Sequence, residues 1–193
     1  MFEEWRSDAW DVISSTEDLN GSTLCCLAHG LLSLEDIMIK DDNMQLTSIA
    51  SSHITSPVLD LLTLLMTSTD VEDWKSNNDI LEDYHTSLIE ELKRLNSSNE
   101  CSLPHIKLDQ IVKEFQAYRY KAFILSILIL MKKIKYIQEE FCHASDEKEC
   151  LGKNLRYVSW RAIQLVDEAI LGDWRKTSPI QMESSTLTLK LQK

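Results

Sequence analysis

Glycine and proline are scarce in this chain of 193 residues, with four of the first and three of the second. Few sharp turns are therefore available, and helices should dominate. The five cysteines, Cys25, Cys26, Cys101, Cys142 and Cys150, form no Cys-x-x-Cys pair. That removes the usual structural zinc spacing. Cys142, His143 and Cys150 lie close enough to ligate a metal in principle, but unpaired thiols in a reducing cytosol are the plainer reading. Basic residues are outnumbered: 20 Lys and Arg face 31 Asp and Glu, a formal charge of -11. Such a chain repels phosphate backbones and anionic lipid, so neither a nucleic-acid nor a membrane partner is expected. The first ten residues hold no apolar run, so no signal peptide is visible and a cytoplasmic location is expected. The longest apolar run, Ala122 to Met131, is about half the ~20 residues a bilayer span requires. It reads as a buried helix covered on all sides, with at least two of Ile124, Leu128 and Met131 in the core.

What is present is a change of pattern along the chain. Phe2, Trp5, Ala9, Val12 and Ile13 recur at helical spacing, and an Asn20-Gly21 turn follows. Residues 23–28 are a short apolar run that reads as a buried strand. Residues 36–40 and 44–50 flank a polar turn at 41–43 and read as a hairpin. Ser56-Pro57 then opens a helix, since proline at the first helical position loses no hydrogen bond. Ile80, Leu81, Tyr84, Leu88, Ile89, Leu92 and Leu95 mark a second helix, and 107–140 a third. Residues 97–104 and 142–153 read as loops, and residues 155–171 as a last helix stopped by Gly172. A strand and hairpin followed by helices implies an α+β fold, mainly helical. The division expected is an amphipathic helix and turn at 1–22, a domain at 23–175, and a disordered Ser/Thr-rich tail at 176–193.

Several features have dull readings. Glu35, Asp36, Asp41 and Asp42 lack the glycine and alternation of a calcium loop and read as a solvated turn. His85 and His105 read as surface or capping residues. Lys132, Lys133 and Lys135 read as a helix C-terminus complementing its dipole.

Four pieces carry more. Ala28-His29-Gly30 follows an apolar strand, Asp36-Ile37-Met38-Ile39-Lys40 comes just downstream, Ser56-Pro57-Val58-Leu59-Asp60-Leu61 opens a helix, and Tyr84-His85 stands in an amphipathic helix. In this order the pieces resemble the C-terminal lobe of the ecdysteroid kinase-like family, over roughly residues 24–140. Those proteins are relatives of choline kinases and aminoglycoside phosphotransferases within the protein-kinase-like fold. The resemblance implies a His-Gly-Asp catalytic segment, and its reactive Asp falls on Leu31. The family's Trp falls on Ser33, and its two Asn fall on Glu35 and Asp36. The metal-binding Asp of the second segment falls on Ser48, and a following Arg on His53. Asp60 is the position expected to brace the loop near His29; without the resemblance it is an ordinary acid in a first helical turn.

Leu31 accepts neither a proton nor a hydrogen bond, and Ser48 is neutral where an anion should hold Mg²⁺. No Gly-rich loop and strand Lys occur in the first 23 residues, so a truncated lobe is expected. The vestigial loop and scaffold residues are His29, Gly30, Asp36, Ser56, Pro57 and Asp60, with no cofactor and no metal site. The function expected is that of a catalytically inactive pseudokinase fragment, a binding or scaffold protein meeting a protein partner through the exposed lobe face. The alternatives are a binder of a small, steroid-like apolar ligand in a retained acceptor pocket, a residual small-molecule kinase, or a decaying duplicate with no role.

Overall fold

The computed structural model describes residues 24–41, 43–70, 78–96, 105–143 and 148–172. The expected helix at 2–13, the loop at 97–104 and the tail at 176–193 lie outside these residues.

The described chain begins with short strands and continues as helices, an α+β arrangement that is mostly helical. Strand β1 (Cys26–Ala28) pairs antiparallel with β4 (His53–Thr55), in the register Cys26↔Thr55, Leu27↔Ile54 and Ala28↔His53. Between them, β2 (Ile37–Lys40) and β3 (Asn43–Leu46) form a separate hairpin. Strand β1 is buried on one side only, because Leu27 is 75% exposed while Ala28 is buried. Strand β4 was not anticipated. Its three residues, His53-Ile54-Thr55, are too few to show an alternation, and only the non-local pairing with β1 defines them.

Helix α1 (Pro57–Ser68) starts where local chemistry dictates. Ser56 is the N-cap, its Oγ accepts from the Val58 N–H, and Pro57 occupies the first turn. One face buries Val58, Leu59, Leu62, Leu65 and Met66. Thr63 and Thr67 are buried beside them without an orphan hydroxyl, because each donates to a carbonyl one turn back, Asp60 O at 3.0 Å and Thr63 O at 2.8 Å.

Helices α2 (Asn78–Leu95), α3 (Leu108–His143) and α4 (Lys148–Leu171) complete the described core. At 36 residues, α3 is about 54 Å long and outreaches its neighbours. It packs against α1, α2 and α4, and contributes Ile111, Phe115, Phe123 and Leu130 to the core.

Three expectations fail here. The apolar run of α3 is not covered on all sides: Ile124 is buried, but Leu128 is 44% and Met131 60% exposed. One stripe of its apolar run therefore meets no partner among the described residues. Residues 142–153 are not one loop, since α3 continues through His143 and α4 begins at Lys148. Gly152 sits inside α4 at a cost of about 1 kcal/mol relative to Ala, a cost that the packing of α4 on α3 offsets. Lys132, Lys133 and Lys135 consequently lie within α3 and not at its end. Lys135 faces Glu139 one turn on, while Lys133 reaches out of the helix to Glu35 at 3.3 Å.

These exposures reverse the expected mutational pattern of the run. Leu128→Asp should remain folded, within about 1 kcal/mol of the parent, because the charge meets solvent. Phe123→Ala, at a side chain 1% exposed, should lose about 3 to 5 kcal/mol. Urea denaturation of both variants checks the contrast. An unfolded Leu128→Asp chain would contradict the placement.

Candidate functional site

The short strands and the start of α1 converge on the turn after β1. Asp60, in the first turn of α1, accepts two backbone hydrogen bonds there. Its Oδ2 lies 2.5 Å from the His29 nitrogen, and its Oδ1 lies 2.8 Å from the Gly30 nitrogen. Both donors belong to buried residues, so without the carboxylate they would lack partners. The bonds are charge-assisted, hence stronger than ordinary backbone pairs.

The His29 ring is buried and its Nε2 lies 2.7 Å from the Thr47 carbonyl. A carbonyl only accepts, so Nε2 carries a hydrogen. Nδ1 is buried, with no hydrogen-bond partner among the described residues. Ser51 Oγ donates to the His29 carbonyl at 2.9 Å. The histidine therefore clips the loop after β1 to the segment after β3. Gly30 follows with φ +91°. A Cβ there would stand 2.6 Å from the Ser51 carbonyl oxygen and 2.9 Å from the His53 ring, so only glycine fits. His53 turns its Nδ1 to the Ser51 carbonyl at 3.0 Å.

Leu31 comes next, 38% exposed. Ser33 is buried and forms a reciprocal cap with Asp36 across the 3-10 turn Leu34–Asp36. Asp36 Oδ2 accepts from both Ser33 N (3.0 Å) and Ser33 Oγ (2.9 Å). The Asp36 carbonyl accepts from Thr47 N at 2.8 Å. Ser48, exposed, stands at φ 58° and ψ 32° in the left-handed region, before a 3-10 turn at Ile49–Ser51. Serine gains nothing from that conformation and is strained there by about 1 kcal/mol.

The sequence pattern did not mark Glu114. It is buried on α3, takes a hydrogen bond from the Leu24 nitrogen at Oε1 (3.1 Å), and a short one from Ser56 Oγ at Oε2. One carboxylate thus ties the chain before β1 and the cap of α1 to α3. An acid on a helix face with Ile111 and Phe115 was the available signal. Asp60 and Glu114 also act at longer range. Burial, then Cys26, Asp60 and Glu114, push the Tyr84 hydroxyl up to about 12. Burial, then Asp60, Cys25 and Glu114, raise the Cys26 thiol. His85 Nε2 lies 3.0 Å from the Ile106 carbonyl, pinning α2 to the chain entering α3.

The profile of the ecdysteroid kinase-like family matches residues 1–97. The chain belongs to the ecdysteroid kinase-like family. The match begins earlier than the resemblance over 24–140, so it takes in residues 1–22, and it ends just after α2. No curated protein and no solved structure matches the chain.

A family of this kind implies Mg²⁺, and the donors here do not fit it. Leu31 offers only carbon, Ser48 a neutral hydroxyl, and Asp36 commits Oδ2 to its own turn. Among the described residues, no three acidic, His or Cys side chains are grouped as a metal would need. What the arrangement does is hold a backbone shape.

That shape carries strain which glycine would relieve. Ser48→Gly should stabilise the protein by about 0.5 to 1 kcal/mol, because φ 58° costs glycine nothing. Ser48→Val, β-branched, should destabilise it by more than that. Thermal melts of the pair check the left-handed turn. Equal melting temperatures would contradict it.

Proposed function

We propose that this member of the ecdysteroid kinase-like family transfers no phosphate and acts as a binding or scaffold protein. The observation that carries the reading is the separation of frame from chemistry. The frame is complete: Asp60 on His29 and Gly30, His29 on Thr47, and a left-handed residue at position 48. The reactive positions within it carry Leu31 and Ser48. Phosphoryl transfer needs a carboxylate to orient the acceptor hydroxyl and oxyanions to hold Mg²⁺ across the triphosphate. Loss of one such group commonly lowers the rate by orders of magnitude, and loss of both leaves only positioning.

The surface around the loop supports a binding role. Leu31, Leu34, Met38 and Ile49 are exposed there. Exposed apolar side chains beside a loop suit a desolvated contact with a partner.

Isothermal titration tests the reading. ATP with Mg²⁺ at millimolar concentration should give no saturable heat. A dissociation constant below about 100 µM, near -5.5 kcal/mol, would contradict it.

A further inference from the structure

The β2–β3 hairpin has one face that is apolar and exposed. Ile37, Ile39, Met44 and Leu46 share it, since Ile37 opposes Leu46 and Ile39 opposes Met44. Ile39 is 76% and Met44 66% exposed. Among the described residues β2 and β3 pair only with each other. A ribbon of two strands is marginal by itself, and an apolar face becomes stable in a sheet of three strands or more.

The two outer edges of this ribbon differ. The Ile37 N–H donates to the Leu34 carbonyl of the preceding 3-10 turn, so the edge of β2 is closed at that end. On the other strand the Thr47 N–H donates to the Asp36 carbonyl at 2.8 Å, so position 47 bonds toward β2. The alternation of an antiparallel pair then turns Gln45 and Asn43 toward β2, and Met44 and Leu46 outward. Among the described residues nothing else bonds the backbone of Met44 or Leu46. All four residues of β3 are exposed. Natural edges are commonly guarded by a lysine, a proline or a bulge. Asn43-Met44-Gln45-Leu46-Thr47 holds no charge and no proline, and its register with β2 is continuous.

We propose that β3 is a docking edge for β3 of a second copy of this chain, antiparallel about a two-fold axis at Gln45. The edge is its own complement. Met44 and Leu46 stand one on each side of Gln45, so Met44 and the partner's Leu46 exchange both backbone hydrogen bonds, and the axis repeats the pair. Four strands then form one sheet, and the apolar face runs unbroken across both copies. Gln45 meets the partner's Gln45 on the opposite face, where each amide offers a donor and an acceptor to the other. Charge favours this edge over the rest of the surface. The net -11 opposes self-association, but it is screened beyond about 10 Å, and residues 43–47 add nothing to it. The proposal goes beyond the functional reading above and does not depend on it.

Sedimentation velocity of the full chain tests it, from about 1 to 200 µM, the range of weak edge pairing. A reversible monomer–dimer equilibrium is expected. Gln45→Glu sets two carboxylates opposite each other at the axis and should move the midpoint at least about fivefold higher. Gln45→Lys should do the same with two ammonium groups. An equimolar mixture of the two variants brings opposite charges together there and should dimerise better than either variant alone. Met44→Pro removes an outward N–H without touching the β2–β3 bonds and should abolish the dimer, with helical circular dichroism unchanged. Should Met44→Pro lose its helices, the Gln45 variants, at an exposed site, decide alone. A chain that stays monomeric throughout overturns the proposal. So does a dimer indifferent to Gln45→Glu, or a mixture that pairs no better than its components.

Discussion

The Asp60 carboxylate is the point on which the organised part of this structure turns. Two consecutive amide hydrogens, those of His29 and Gly30, are buried where no carbonyl reaches them, and one side chain accepts both. Leaving either unmet would cost about 1 to 3 kcal/mol. The loop is thereby fixed to the first turn of α1, and α1 is fixed in turn by its own cap. Ser56 serves both ends of that link, accepting from Val58 and donating to Glu114 of α3. From the loop to the longest helix the path is three side chains long: Asp60, Ser56 and Glu114.

The same constraint sets the form of the loop after β1 independently of residues 31 and 48. None of the bonds that shape it uses residue 31 or the side chain of residue 48. His29 acts through its ring on Thr47, Gly30 through its lack of a Cβ, and Asp60 through both oxygens. Leu31 and the Ser48 side chain therefore stand outside the set of bonds that supports the loop. Asp60 and Glu114 are the two acids that hold the frame.

Legibility in the sequence followed the range of the interactions. The start of α1 could be read from Ser56-Pro57 because capping is decided within three residues. The hairpin could be read from its polar turn for the same reason, though Asn43 belongs to β3 and not to the turn. Strand β4 could not, since His53-Ile54-Thr55 becomes a strand only by meeting β1. Leu128 and Met131 were misjudged because an apolar run states a preference for burial and says nothing of whether a neighbour is long enough to supply it. Residues 142–153 were read as a loop, yet α4 begins at Lys148 and its packing on α3 overrides Gly152. Glu114 was hidden in a stripe whose periodicity was apolar. Arg161 was missed likewise: it is buried on α4, with Nη1 3.9 Å from Asp70 and 3.2 Å from Gln164, and no local pattern announces such a partner.

The most direct measurement compares Asp60→Asn with Leu31→Ala by urea denaturation, with amide exchange at His29 and Gly30 read in the same samples. The amide in Asp60→Asn keeps one acceptor and opposes a donor to the other N–H. The account expects a loss of about 2 to 4 kcal/mol and faster exchange at both amides. It expects Leu31→Ala to stay within about 1 kcal/mol, with exchange unchanged. The opposite result, a tolerated Asp60→Asn beside a damaging Leu31→Ala, would mean that residue 31 shapes the loop, and the separation of frame from chemistry would not hold.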